Sequence, residues 1–178
     1  MKKWPLLAFL LIALPAGASA GTVDEVRAFY NEVKEDLDGY YLTEVVVNRD
    51  YLMYPALGNY QETLRFYWRS EAGFDRLVLA TWSSEWAAHT EYGEVLYRVD
   101  EVNEGDPEVV AFQFVAFDNY DEYGAESRWY YDEGLLVEAS GISRSPEGEV
   151  RFVPEAGEER SYGHNHEELL EMFISIHH

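Results

Sequence analysis

The chain has 178 residues, with 34 acidic side chains against 13 lysines and arginines and a net charge of −21. A charge of that sign repels nucleic acid and anionic lipid surfaces, so nucleic-acid binding is not expected; it favours cationic partners or simply solubility. There is no cysteine, which removes disulfide frameworks and thiolate chemistry, and stability has to come from packing of a chain that is 16% aromatic.

The first twenty residues read as an export leader. Lys2 and Lys3 give a charged start, residues 5–14 are an apolar run too short to span a bilayer, and Ala18-Ser19-Ala20 is a small-residue cleavage site. Cleavage there predicts an exported chain, periplasmic or secreted, beginning at Gly21. It is a single domain over 21–178 with no later membrane insertion. Losing the two leader lysines takes the net charge to −23 and leaves Lys34 as the one lysine beside ten arginines. A salty habitat or genome base composition accounts for so many acids without any charged partner.

Residues 22–37 predict a helix. Thr22 and Glu25 form a capping box, and Val23, Val26, Tyr30, Val33 and Leu37 share one stripe beside Phe29, with Gly39 placed to end it. A strand over 40–48 and a loop over 49–60 follow. Residues 62–70 alternate, with Leu64, Phe66 and Trp68 facing one way and Arg65, Tyr67 and Arg69 the other. Strands are predicted over 76–83 and 92–100, with an ambiguous stretch at 84–89 between them and a polar turn at 101–108. Residues 109–117 read as the central strand. Simple alternation puts Val109, Ala111, Gln113, Val115 and Phe117 on one face and Val110, Phe112, Phe114 and Ala116 on the other, both apolar enough to need cover. A polar turn over 118–127, a strand over 128–132, a tight Glu133-Gly134 turn and a strand from Leu135 complete the centre. A hairpin through Ser145–Gly148 and a linker over 154–163 lead to a second helix over 165–176, capped by Asn165 and Glu168.

The predicted fold class is α+β: an N-terminal helix, an antiparallel β-meander of seven or eight strands and a C-terminal helix, with both helices against one side of a curved sheet. The order of leader, helix and strands resembles a group of uncharacterised exported bacterial β-meander proteins. The matching positions are Ala87, Ala88 and Tyr92, then Trp129, Tyr130, Tyr131, Asp132 and Gly134, within residues 23–139. The near-absence of lysine and the extra C-terminal hairpin and helix depart from that group. The resemblance implies an exported β-meander domain and brings no activity with it.

Catalytic motifs are missing: there is no G-x-S-x-G elbow, no H-E-x-x-H helix and no phosphate loop, and no cofactor is expected. The leading expectation is a non-enzymatic module that binds an unknown ligand or protein partner through an Arg/Tyr sheet face. Arg65, Tyr67 and Arg69 on one strand would meet Arg128 and Tyr130 on another, supplying hydrogen-bond forks and stacking surfaces. Cross-strand packing, with each arginine paired to a nearby acid, is the plainer account of the same residues. A second expectation is a carboxylate–His hydrolase or isomerase around His89, with Glu85 and Glu91 nearby. A third is a metal-binding accessory protein using His164 and His166. Calcium spacing fails over 100–111, where Val102 and Ala111 stand at ligand positions; Asp118, Asp121 and Glu122 gather acids without a fixing pattern.

Overall fold

The structure of the protein, a computed structural model, describes residues 18–49, 60–71, 73–86, 89–98, 108–119, 122–155, 157–158 and 163–177. The leader through residue 17, the predicted loop at 50–59, Ala87 and Ala88, the predicted turn at 101–107 and Asp121 lie outside the described residues. Helix α1 (Ala18–Glu35) and a 3-10 turn (Leu37–Gly39) lead into the strands. These are β1 (Tyr41–Arg49), β2 (Tyr60–Glu71), β3 (Phe74–Glu85), β4 (His89–Arg98), β5 (Val109–Asn119), β6 (Gly124–Asp132), β7 (Leu135–Ser145) and β8 (Gly148–Phe152). Helix α2 (His166–His177) follows. The eight strands form one antiparallel sheet in chain order, the α+β meander expected from the sequence. Among the described residues no helix is long and apolar enough to cross a membrane.

Local chemistry sets the turns. The 84–89 stretch divides between β3 and β4, where the Trp86 N–H donates to the His89 carbonyl at 2.9 Å. Glu133 and Gly134 both have positive φ, 47° and 75°, the backbone that a two-residue hairpin between right-twisted strands requires. The turn predicted over 118–127 is shorter than expected. β6 starts at Gly124 because Ser127 is buried opposite Val115 and Glu126 is held by Arg128 and Arg144.

The sheet departs from simple alternation along one line. Tyr67 faces Leu79 while Trp68 faces Leu77, leaving Val78 without a cross-strand partner. Leu96 faces Phe112 while Tyr97 faces Val110, leaving out Ala111. Tyr130 faces Glu138 while Tyr131 faces Leu136, leaving out Val137. Each is a β-bulge, which inserts one residue and strengthens local twist. The alternation read for β5 therefore slips at Ala111. Val110, Gln113 and Val115 share one face, whereas Ala111, Phe112 and Phe114 share the other.

The two helices cover opposite faces, which corrects the expectation that both lie on one side. Val23, Val26 and Val33 of α1 pack with Val78, Leu79, Leu96, Ala111, Phe112 and Tyr130; Leu169 and Phe173 of α2 pack with Leu64, Phe66, Trp82, Val95, Tyr97, Val115 and Trp129. A central strand apolar on both sides needs cover on both, and one helix supplies each. On the α2 face the Trp82 ring lies across Gly93, where a Cβ would collide with it. The α1 helix also begins earlier than the capping box implied. Its first residue is Ala18, so Thr22 stands inside it.

Helix α2 is capped as expected, by Asn165 Oδ1 accepting from the Glu167 and Glu168 N–H groups at 3.0 and 3.1 Å. Two imidazoles tie its ends to the sheet. His164 Nε2 lies 2.7 Å from Glu62 Oε1, and His177 contacts Asp75 at 3.1 Å and Thr43 at 3.0 Å. Burial opposes charge on His164, but the hydrogen bond and charge of Glu62, with Glu168 and Glu91, more than offset it and raise its pKa. A pKa raised on folding contributes stability that is full below the ordinary imidazole value, about 6.5, and is lost as pH rises through the folded value. The melting temperature of the wild type should therefore exceed that of His164→Asn most at about pH 6. The gap should narrow as pH rises through the folded value, where the imidazole loses its proton. Thermal unfolding of the pair across that range checks this, and a gap that widens with pH contradicts it.

Candidate functional site

A cleft lies where α1 crosses β5 and β6. Val26, Arg27, Tyr30 and Asn31 fall on one helix face because they form two i,i+4 ridges. The floor is a block of cross-strand partners on the α1 side of the sheet: Phe112 opposite Tyr130, and Phe114 opposite Arg128. Together these eight residues line a half-open cavity of about 320 Å³, within the size range of small-molecule sites. Aromatic contacts fix its shape. The Tyr30 ring stands edge-on to Phe112 at 5.3 Å, and Phe112 packs on Tyr130 at 5.1 Å.

Two guanidinium groups border this apolar floor. Arg27 sits 5.1 Å over the Tyr130 ring, donates from Nε to the Tyr130 hydroxyl at 3.4 Å, and pairs with Asp24 at 3.2 Å and Glu138 at 3.9 Å. Arg128 lies 4.9 Å over Phe114 and contacts Glu126 at 3.3 Å; Arg144 shares the same carboxylate at 3.1 Å. Burial disfavours the Glu126 charge, but the two arginines outweigh it and lower the pKa. One carboxylate thus serves two five-donor cations, which leaves Arg128 with donors to spare.

Behind the cleft, Glu94 of β4 is only 3% exposed. It accepts hydrogen bonds from Tyr30 and Tyr92 and pairs with Lys34 Nζ at 2.7 Å. Burial and the bond to Glu94 push both phenol pKa values up, so both stay protonated donors. This knot joins α1 to the sheet, fixes the Tyr30 ring that walls the cleft, and pairs a deeply buried acid with a cation.

The expected Arg/Tyr surface does not assemble as one patch. Arg65 and Arg128 do share a row across the same sheet face, through Thr81, Glu94 and Phe114. They stand four strands apart, roughly 19 Å at ~4.8 Å per strand. Arg65 pairs with Glu44 at 2.8 Å and Arg69 with Glu71 at 3.2 Å, while Tyr67 packs against the α1 core. Only Arg128 and Tyr130 reach the cleft. Of their partners in the cleft, Tyr30 was read as part of the apolar stripe of the helix, and Arg27 and Asn31 were not singled out. The available signal was that Arg27 and Asn31 flank that stripe on a helix lying over the central strands.

The other candidates stand apart. His89 is half-buried, stacked on Trp86 at 5.2 Å and packed on Phe117 at 5.0 Å, beside Thr90, Asp118 and Asn119 in a pocket of about 100 Å³. Its ring faces are taken up by aromatic neighbours. His164 turns to Glu62 and Trp82, and His166 packs on Tyr131, so the two imidazoles point to different strands. Among the described residues no group of three or more His, Asp or Glu side chains converges as a metal site.

Comparison of the chain with known protein families, curated proteins and solved structures finds no match.

The Glu94 knot generates a stability test. Lys34→Met removes the cation and leaves a buried carboxylate with two phenols, which should cost about 2 kcal/mol in urea unfolding. Adding Glu94→Gln should recover part of that loss, because no uncompensated charge then remains. A single variant as stable as wild type would make the ion pair irrelevant to the docking of α1.

Proposed function

We propose that this chain is an exported, non-enzymatic ligand-binding module whose site is the cleft between α1 and the β5–β6 floor. The observation that carries this reading is the composition of the cleft. In a protein with 34 acids, its lining among the described residues contains two arginines, four aromatic rings, a valine and an asparagine, and no acid. A concave apolar surface with a few convergent polar groups is the usual form of a small-ligand site. The leader read from the sequence supports export, and the absence of a catalytic motif supports binding without chemistry. The surface expected from the sequence narrows to its Arg128–Tyr130 half; Arg65, Tyr67 and Arg69 belong to a separate, acid-paired part of the sheet.

A thermal-shift screen of organic acids, sugars and short peptides tests this reading. A ligand present at about a hundred times its dissociation constant should add about 2.7 kcal/mol of stability. Asn31→Trp, which fills the mouth from an exposed helix position, should abolish the response while changing stability by less than about 0.5 kcal/mol. Arg65→Ala with Arg69→Ala should leave the response intact. Loss of the response in the arginine pair, with Asn31→Trp behaving as wild type, would move the site back to the β2 face.

A further inference from the structure

We infer that the ligand class of this cleft is a planar organic monoanion, a flat apolar body bearing one carboxylate; this rests on the reading of the cleft as a binding site and adds its chemistry. The body is set by the floor. Phe112, Phe114 and Tyr130 present rings on one sheet face, and Tyr30 closes over them from the helix. Ring surfaces of this kind take flat, apolar groups by offset or edge contact.

The charge is set by the rim. Arg128 and Tyr130 are two residues apart on one strand face, about 7 Å along the backbone, and one guanidinium lies over Phe114 and the other over Tyr130. A guanidinium fork matches a carboxylate in two parallel hydrogen bonds. The nearby acids leave one fork in place. Asp24 and Glu138 lie outside the cavity lining but both pair with Arg27, and Glu94 is closed off by Lys34 and two tyrosines; Arg128 shares its one carboxylate, Glu126, with Arg144 and keeps donors for a ligand. The overall charge of −21 repels anions at long range, but screening confines that repulsion to about 8 Å at physiological salt. The local arginines then decide selectivity. One anion is favoured over several because, of the two arginines lining the cleft, Arg128 is the one with donors to spare.

Three probes with the same two-ring body separate the possibilities: naphthoate, naphthamide and naphthylmethylammonium, followed by amide NMR of the full chain. Naphthoate should perturb Asn31, Phe112, Phe114 and Tyr130 and bind at least about tenfold more tightly than naphthamide, while the ammonium compound should not bind. Arg128→Gln should weaken naphthoate about tenfold and leave naphthamide unchanged, which also shows that the variant keeps its fold. If naphthamide matches naphthoate, or the ammonium compound binds best, the anion class is wrong and the cleft remains a binding site. If no probe perturbs the cleft residues, both the class and the binding reading fall.

Discussion

Val78, Ala111 and Val137 have no cross-strand partner, and the placement of α1 depends on them. Each is the extra residue of a β-bulge, and all three fall on the same line across the sheet. A bulge lets consecutive residues address one face, so Val78 joins Leu79 and Ala111 joins Phe112 under the helix, with Val137 packed alongside. Three bulges in line supply a continuous apolar seat where strict alternation would send every second side chain to the α2 face. The α1 stripe of Val23, Val26 and Val33 fits that seat, and the cleft forms beside it where the floor widens to Phe114 and Arg128.

Polar chemistry on the two faces follows from this division. On the α1 face a buried carboxylate, Glu94, is surrounded by donors from both helix and sheet, and it orients Tyr30 at the edge of the cleft. On the α2 face Glu62 and Asp75 meet the imidazoles at the ends of a short helix, and Trp82 lies over Gly93, the one residue small enough to leave room for it. The ordinary surface pairs, such as Arg65 with Glu44, are exposed and contribute little to stability. The two helices are thus held by different chemistry: a carboxylate knot on one side and imidazole clasps on the other.

Much of the fold was legible in the sequence. The two helices, the meander order, the Glu133-Gly134 hairpin and the Asn165 cap all follow from periodicity, turn chemistry and capping. The bulges were not, because a strand apolar on both faces gives no change of pattern when its phase slips, as at Ala111 in VVAFQF. The faces covered by the helices were hidden for the same reason. Of the site, Arg128 and Tyr130 were visible as an unusual pair in an acidic chain. Grouping them with Arg65, Tyr67 and Arg69 failed because the meander order puts those residues on β2 and this pair on β6, four strands away. Arg27 and Asn31 look like any solvated helix face until the helix is placed over β5 and β6.

The bulge line is the seat of α1. Deleting Ala111 would regularise the β4–β5 ladder while keeping every other side chain of β5 on its present face, and hydrogen exchange would then compare α1 with the sheet. The account predicts that amides over residues 22–35 lose protection while those of β3, β4 and β6 keep theirs. Unchanged protection across α1 in the deletion variant would contradict it.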